Sequence, residues 1–163
     1  METHRPGGNE GAAALDVRLL GPLTIRRGGV ALPLPASRKA RALIAYLSLA
    51  PHPSARSKLC ELLWDVPDDP RSELRWCLSK IRRLVDSPGR RRVKTLADTV
   101  WLDLSDCFVD AAEIIRAVQG GIETLSAEQM HTLSALFAGD FLEGLETGRS
   151  PAFEGWLVAQ RRR

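Results

Sequence analysis

Residues 69–89 constrain this chain more than any other segment. Asp69 suits a helix N-cap, Pro70 suits the first helical position, and Ser87-Pro88-Gly89 is a stop signal, so a helix is expected over residues 70–86. Leu74, Cys77, Leu78, Ile81, Leu84 and Val85 recur at helical spacing and form one apolar stripe. Ser72, Trp76, Ser79 and Arg83 fall on the opposite side, flanked by Arg75 and Arg82 on one edge and Lys80 on the other. A helix of this kind buries one face in its own core. The other face offers hydroxyls, cations and an indole to a partner, and a polyanion fits them.

The charge totals alone do not point to nucleic acid, because the net charge is only +3. The distribution does. Residues 71–94 hold nine Lys/Arg against two acids, and residues 98–160 hold eleven acids against two arginines. A length of 163 residues allows one or two small domains, and an apolar content of 44% is enough for a folded core. Cys60, Cys77 and Cys107 are odd in number and form no CxxC, so they read as reduced thiols of an intracellular protein. No apolar run approaches the ~18 residues a membrane helix needs. No signal peptide is evident, and a cytoplasmic location follows. Residues 1–15 are polar and Gly-rich and read as a disordered N-terminus.

Strands are expected at 16–20, 23–27 and 30–34, broken by Gly21-Pro22 and Gly28-Gly29, with Pro33 marking an edge. Ser37 caps a helix reaching about residue 50, with Ala40, Leu43, Ile44 and Leu47 inward. Ser54 opens a shorter one to residue 64. A turn, DVPDDP, separates it from the basic helix. After that helix, Val93–Leu96 and residues 100–104 read as a β-hairpin with Val100, Leu102 and Leu104 inward and Trp101 and Asp103 outward. Helices two and three form a helix-turn-helix, and the hairpin stands where a wing would. Further helices are expected at 109–119, from a Ser126/Gln129 capping box (with Met130, Leu133, Leu136 and Phe137 apolar, ending at Gly139), and from residue 151 onward with Phe153, Trp156 and Leu157 apolar. The abrupt Arg161-Arg162-Arg163 end suggests a natural chain that continues. The fold class is α+β: an antiparallel sheet, three helices and a hairpin, then an all-helical segment.

No active site emerges. His4, His52 and His131 are isolated from one another and from any cysteine at ligand spacing, so no metal or cofactor is expected. The serines lack a nucleophile elbow, and the Gly-Gly pairs are turns rather than phosphate cradles. Asp65, Asp68 and Asp69 serve a turn and a helix start.

Residues 16–104 resemble the OmpR-type winged-helix DNA-binding domain of the Streptomyces antibiotic regulatory proteins. The tracts carrying the resemblance are LLGPLTIRRGGVALPL, SRKARALIAYLSLAPHPSARSKLCELLW and SELRWCLSKIRRLVD. It continues through WLDLSDCFVDAAEI, GDFLEGL and FEGWLVAQR, which are similar to the start of that family's bacterial transcriptional activation domain, over residues 105–163. The resemblance implies a transcriptional activator that binds double-stranded promoter DNA, often as a dimer on direct repeats, and contacts RNA polymerase. It implies no receiver domain. One departure lies in the wing, where the family commonly carries Arg-Gly-x-Gly-Tyr and this chain has Leu96-Ala97-Asp98-Thr99-Val100.

In this reading Lys80 and Arg83 can reach guanine edges in the major groove, while Arg75 and Arg82 meet phosphates. Ser72 and Ser79 can donate to phosphates or bases. Trp76 packs on a thymine methyl, on the sugar–phosphate wall, or against a neighbouring subunit or the second domain. Arg90, Arg91, Arg92 and Lys94 track the adjoining backbone and stand in for the missing wing arginine. Arg38 and Lys39, at the start of the first helix, are further phosphate candidates. The alternative is a winged-helix protein-interaction module, to which Asp98, Trp76, Trp101 and the acidic C-terminal half point. The acidic segment is expected to pack beside the basic one.

Overall fold

The computed structural model describes residues 13–65 and 69–163. Most of the expected disordered N-terminus, His4, and the Val66–Asp68 part of the expected turn lie outside the described residues. Strands β1 (Leu15–Arg18), β2 (Thr24–Arg27) and β3 (Val30–Ala31) form an antiparallel meander in which Val17 lies opposite Ile25 and Arg26 opposite Ala31. Gly21 makes the bend between β1 and β2 at φ 139°, where a Cβ would also lie 3.3 Å from the Ala138 methyl. The third strand is shorter than expected. One more bond follows it, Leu32 N–H to Ile25 O at 2.8 Å, and then Pro33 has no N–H to continue the ladder.

Helix α1 (Arg38–Leu49) starts where Ser37 accepts a hydrogen bond from the Ala40 N–H. Helix α2 (Arg56–Leu63) begins two residues later than Ser54 suggested, because Ser54–Ala55 pairs as a short strand, β4. Ser54 is therefore no cap, and the Arg56 N–H donates instead to the Asp98 carbonyl at 2.9 Å. Helix α3 (Pro70–Val85) opens as expected, with the Asp69 carboxylate accepting from the Ser72 N–H at 3.0 Å. Strands β5 (Val93–Leu96) and β6 (Thr99–Leu102) form the wing hairpin, in a sheet ordered β4-β6-β5. Sheet, three helices and hairpin make the α+β winged helix that the element order implied.

The chain then returns to the first sheet. A two-residue strand, β7 (Phe108–Val109), runs parallel beside β1 and gives the order β3-β2-β1-β7, so the C-terminal segment is not all-helical. Helix α4 (Asp110–Gln119) follows. A single 3-10 turn, Ile122–Thr124, leads to α5 (Ala127–Ser134), which carries the expected Ser126/Gln129 capping box. One expectation fails at α5. It ends at Ser134 rather than near Gly139, and it buries none of its residues: Met130 within it and Phe137 beyond it are exposed. Helix α6 (Pro151–Arg161) packs on α2 through the buried Phe153 and Leu157. Trp156 lies edge-on to Tyr46 of α1 at 5.3 Å.

One apolar cluster runs without a break from Leu15 through α1, α2 and α3 to Leu142, Leu145, Phe153 and Leu157. The acidic segment thus packs against the basic one. Two buried polar ties reinforce the junction. The fully buried Asp110 carboxylate accepts the N–H groups of Leu19 and Leu20, at 2.8 and 3.0 Å, and the Ser150 hydroxyl donates to the Leu63 carbonyl at 2.6 Å. No helix among the described residues is long and apolar enough to cross a membrane.

Candidate nucleic-acid interface

All six residues of the α3 stripe are buried against α1, α2 and β5. That fixes which side of the helix faces out. Ser72, Arg75, Trp76 and Arg83 are exposed, and Ser79, Lys80 and Arg82 are half-buried. Trp76 is 48% exposed, unusual for a large aromatic in a folded core-bearing helix. The Lys80 ammonium sits 5.1 Å from the centre of its ring, and the Ser79 hydroxyl donates to the Trp76 carbonyl at 2.8 Å. Indole, amine and hydroxyl therefore share one patch.

The helix is held at both ends by charge. At its start Arg71 pairs with Asp98 of the wing at 3.3 Å. At its end Arg27 of β2 donates to the Leu84 and Val85 carbonyls at 3.2 and 2.9 Å, satisfying two of the last acceptors and placing a cation at the negative end of the helix dipole. The Arg27 role was not anticipated, since nothing local links β2 to a helix end 57 residues later. Arg27→Met, which keeps most of the side-chain volume, is expected to lose about 1–2 kcal/mol of stability in a denaturant titration. A change below about 0.3 kcal/mol would show that the two carbonyl bonds are worth nothing net.

The Arg90–Lys94 run does not behave as one basic patch. Arg92 is only 1% exposed and lies inside the molecule, where its guanidinium donates to the Asp106 carboxylate at 2.6 and 3.2 Å. This corrects its assignment to a DNA backbone. Arg90 is also engaged, with Asp103 and Asp106 at 3.0 and 3.1 Å. The two guanidiniums, Arg92 first, hold the Asp106 carboxyl well below the usual carboxylate range. Asp86 completes the knot by accepting the Arg92 and Val93 N–H groups. Arg91 remains exposed and Lys94 half-buried, with no ion-pair partner among the described residues.

At the start of α1, Arg38 donates to the Glu146 carbonyl at 2.7 Å, and the Lys39 ammonium lies 5.2 Å from the centre of the Trp64 ring. Both are directed onto the chain itself, and desolvation lowers the Lys39 pKa. The wing turns through Ala97, at φ 50°, and Asp98. Trp101, expected to point outward, is half-buried. All three cysteines are free thiols; Cys60 and Cys77 are buried, and desolvation pushes the Cys77 thiol up to about 11.

No family model matches the chain, and no curated protein matches it. Among solved structures the chain is similar to Mycobacterium tuberculosis EmbR, described in complex with a low affinity phosphopeptide. The TM-score is 0.68 at 21% sequence identity, over 92% of this chain and 42% of that one. The likeness takes in the winged helix together with the helices that follow it. This chain spans well under half the length of that protein.

Proposed function

We propose that the chain is a sequence-specific DNA-binding regulator of transcription, of the type its sequence resembles and without enzymatic activity, that reads the major groove with α3. The observation carrying the proposal is the outward face of α3: Ser72, Arg75, Trp76, Ser79, Lys80, Arg82 and Arg83, presented by a helix buried on its other side and tied down at both ends. Lys80 and Arg83 read guanine edges, and Trp76 contacts a thymine methyl or the sugar wall. Arg75, Arg82, Arg91 and Lys94 meet phosphates, with Ser72 and Ser79 donating beside them. Arg38 serves the junction with the C-terminal part, Lys39 lies on Trp64, and Arg90 and Arg92 hold Asp103 and Asp106. By the same resemblance, the protein acts as an activator in the bacterial cytoplasm, in contact with RNA polymerase and as a dimer on direct repeats.

Selection of bound sequences from a random duplex pool tests the reading. Recovery of one motif supports it; equal, weak binding of all duplexes overturns it. On the recovered duplex, Lys80→Ala or Arg83→Ala is expected to weaken binding about 10-fold or more, in keeping with roughly 1–3 kcal/mol per base contact, and to leave non-specific binding nearly unchanged. Four phosphate-contacting cations predict a log–log salt slope of about −4, and Arg91→Ala is expected to lower its magnitude by about one.

A second reading, a protein-interaction module, draws support from one feature. An apolar groove of about 430 Å³ lies between α4 and α6, lined by Ile114, Ile115, Val118, Phe137 and Phe141. A pull-down and a DNA titration in the same salt separate the readings: a stable protein complex without salt-sensitive DNA affinity would favour the second.

A further inference from the structure

We propose that the groove between α4 and α6 binds a small amphipathic carboxylate, its apolar body in the groove and its head on the guanidiniums at the end of α6. The inference goes beyond the DNA reading and does not depend on it. The groove holds about 430 Å³, within the range of roughly 300–1,000 Å³ typical of small-ligand sites. Its deep part is lined by the buried Leu20 and Ala111. Ile114, Ile115 and Val118 of α4 form one wall, and Phe137 and Phe141, from the strap of chain between α5 and α6, form a second. Val118 and Phe137 are 53% and 55% exposed, so large apolar side chains border the opening. With the end of α6 supplying a third wall, the space is a pocket rather than a trough. That suits a compact ligand better than a docked helix, which needs anchors over successive turns.

The walls are held in place before any ligand arrives. The strap is bonded to the end of β1 and the bend after it, with Ala138 N–H on the Leu20 carbonyl, Leu142 N–H on that of Leu19 and Glu143 N–H on that of Gly21, at 2.8, 2.8 and 3.1 Å. Helix α4 hangs on the same short stretch through Asp110, which takes the Leu19 and Leu20 N–H groups. The polar lining gives the class of ligand. Arg161 spends Nε and Nη2 on the Phe141 and Leu142 carbonyls and on Glu146, which leaves Nη1 free among the described residues. Arg163 reaches only Gln160 Oε1, at 3.4 Å, and pairs with no acid among the described residues. Asp140 is the one acid lining the groove, and it is exposed. Two guanidiniums and the amides of Gln119 and Gln160 thus offer more donors than the lining can use. A planar guanidinium takes a carboxylate in two parallel bonds, so an acid with an apolar body fits both parts of the site.

Calorimetric titration of the full chain with decanoate, decanol and decylammonium tests the site. Decanoate is expected to bind with saturation, about 5-fold or more tightly than decanol, and decylammonium more weakly than either. Val118→Glu sets a like charge at the opening on an already exposed position. It is expected to weaken decanoate about 10-fold or more and to leave the thermal unfolding midpoint unchanged. Ile115→Trp fills the groove and is expected to weaken decanoate and decanol alike. Arg163→Gln is expected to narrow the gap between decanoate and decanol about 3-fold or more. Decanoate binding unchanged in Val118→Glu and Ile115→Trp would place it elsewhere on the chain and overturn the proposal. So would the absence of saturable binding by any of the three probes. Decylammonium binding as tightly as decanoate, or a gap that Arg163→Gln leaves unchanged, would overturn the head-group assignment and the proposal with it. A dimer in sedimentation that Val118→Glu dissociates would give the groove to a second copy, and also overturns it. None of these outcomes touches α3, whose DNA affinity is read separately on the recovered duplex.

Discussion

Asp110→Ala is expected to lower stability by about 3–4 kcal/mol, and the midpoint of thermal unfolding by roughly 8–15 °C for a chain of this size. The carboxylate is fully buried at the first turn of α4. It accepts the N–H groups of Leu19 and Leu20 and, at 2.7 Å, of Ala111. Burying a charge is costly, but three backbone donors and the positive helix end offset it. Truncation strands the Leu19 and Leu20 N–H groups in a site where water cannot reach them, at about 1–3 kcal/mol each. Asp110→Asn keeps one acceptor but turns its amide donors on a backbone N–H, so an intermediate loss of about 2 kcal/mol is expected. Denaturant titrations of the three proteins check this, and a loss below about 1 kcal/mol for the alanine variant would contradict the account.

The second large effect is at Asp106. Asp106→Ala leaves the buried Arg92 guanidinium with only the Asp103 carbonyl, at 3.4 Å. Breaking a well-buried pair costs about 3–5 kcal/mol. Asp106 is itself 42% exposed, so water can partly replace it, and about 2–3 kcal/mol is expected here. Arg92→Leu, which removes the buried charge and leaves a partly exposed Asp106 that keeps Arg90 as its partner, is expected to cost less than Asp106→Ala.

The pair also sets a pH dependence. The folded-state pKa of Asp106 is depressed, chiefly by Arg92, and that of Asp103 is depressed too, first by the Ser105 hydroxyl. A depressed carboxylate contributes stability that is complete above its unfolded pKa of ~3.9 and is lost as pH falls through the folded value. Wild-type stability should therefore drop between about pH 5 and 2, and the drop should be shallower in Asp106→Ala. Parallel acid-unfolding curves for the two proteins would refute the assignment.

These two carboxylates mark the border of what the chain's letters disclose. Helix α3 was legible from end to end, because its cap, its first-turn proline and its apolar stripe are local signals that agree. The wing hairpin was legible in outline, although its second strand runs Thr99–Leu102 rather than 100–104, because Thr99 pairs with Leu96 across a tighter turn. The partners of Asp110 and Asp106 were not, because they lie 90–91 and 14 residues away. Arg92 stands in an Arg-Arg-Arg run that reads as solvated, and only the fold brings Asp106 to it. Ser54 has the chemistry of a cap, but its backbone is claimed by β6. The α5 periodicity is genuine, yet among the described residues nothing packs on its apolar positions closely enough to bury them. On the candidate interface, the split between buried stripe and outward face was readable, while the state of each cation depended on acids elsewhere in the chain.

The parallel pairing of β1 with β7 sets an order of events during synthesis. Asp16 lies opposite Phe108, so the chain must grow 92 residues past Asp16 before the second edge of β1 can be covered. At about 5–20 residues per second that interval is on the order of 5–20 s. Throughout it the nascent meander has its β1 edge open as well as its β3 edge, and an open edge invites pairing with another chain. The helices α1, α2 and α3 can form within the interval, since their contacts are closer in sequence, but the sheet they rest on is completed only when Val109 arrives. A ribosome paused before that residue would hold a winged helix with an unclosed sheet, which makes the stretch just beyond the wing the last step in maturing the N-terminal part of the molecule.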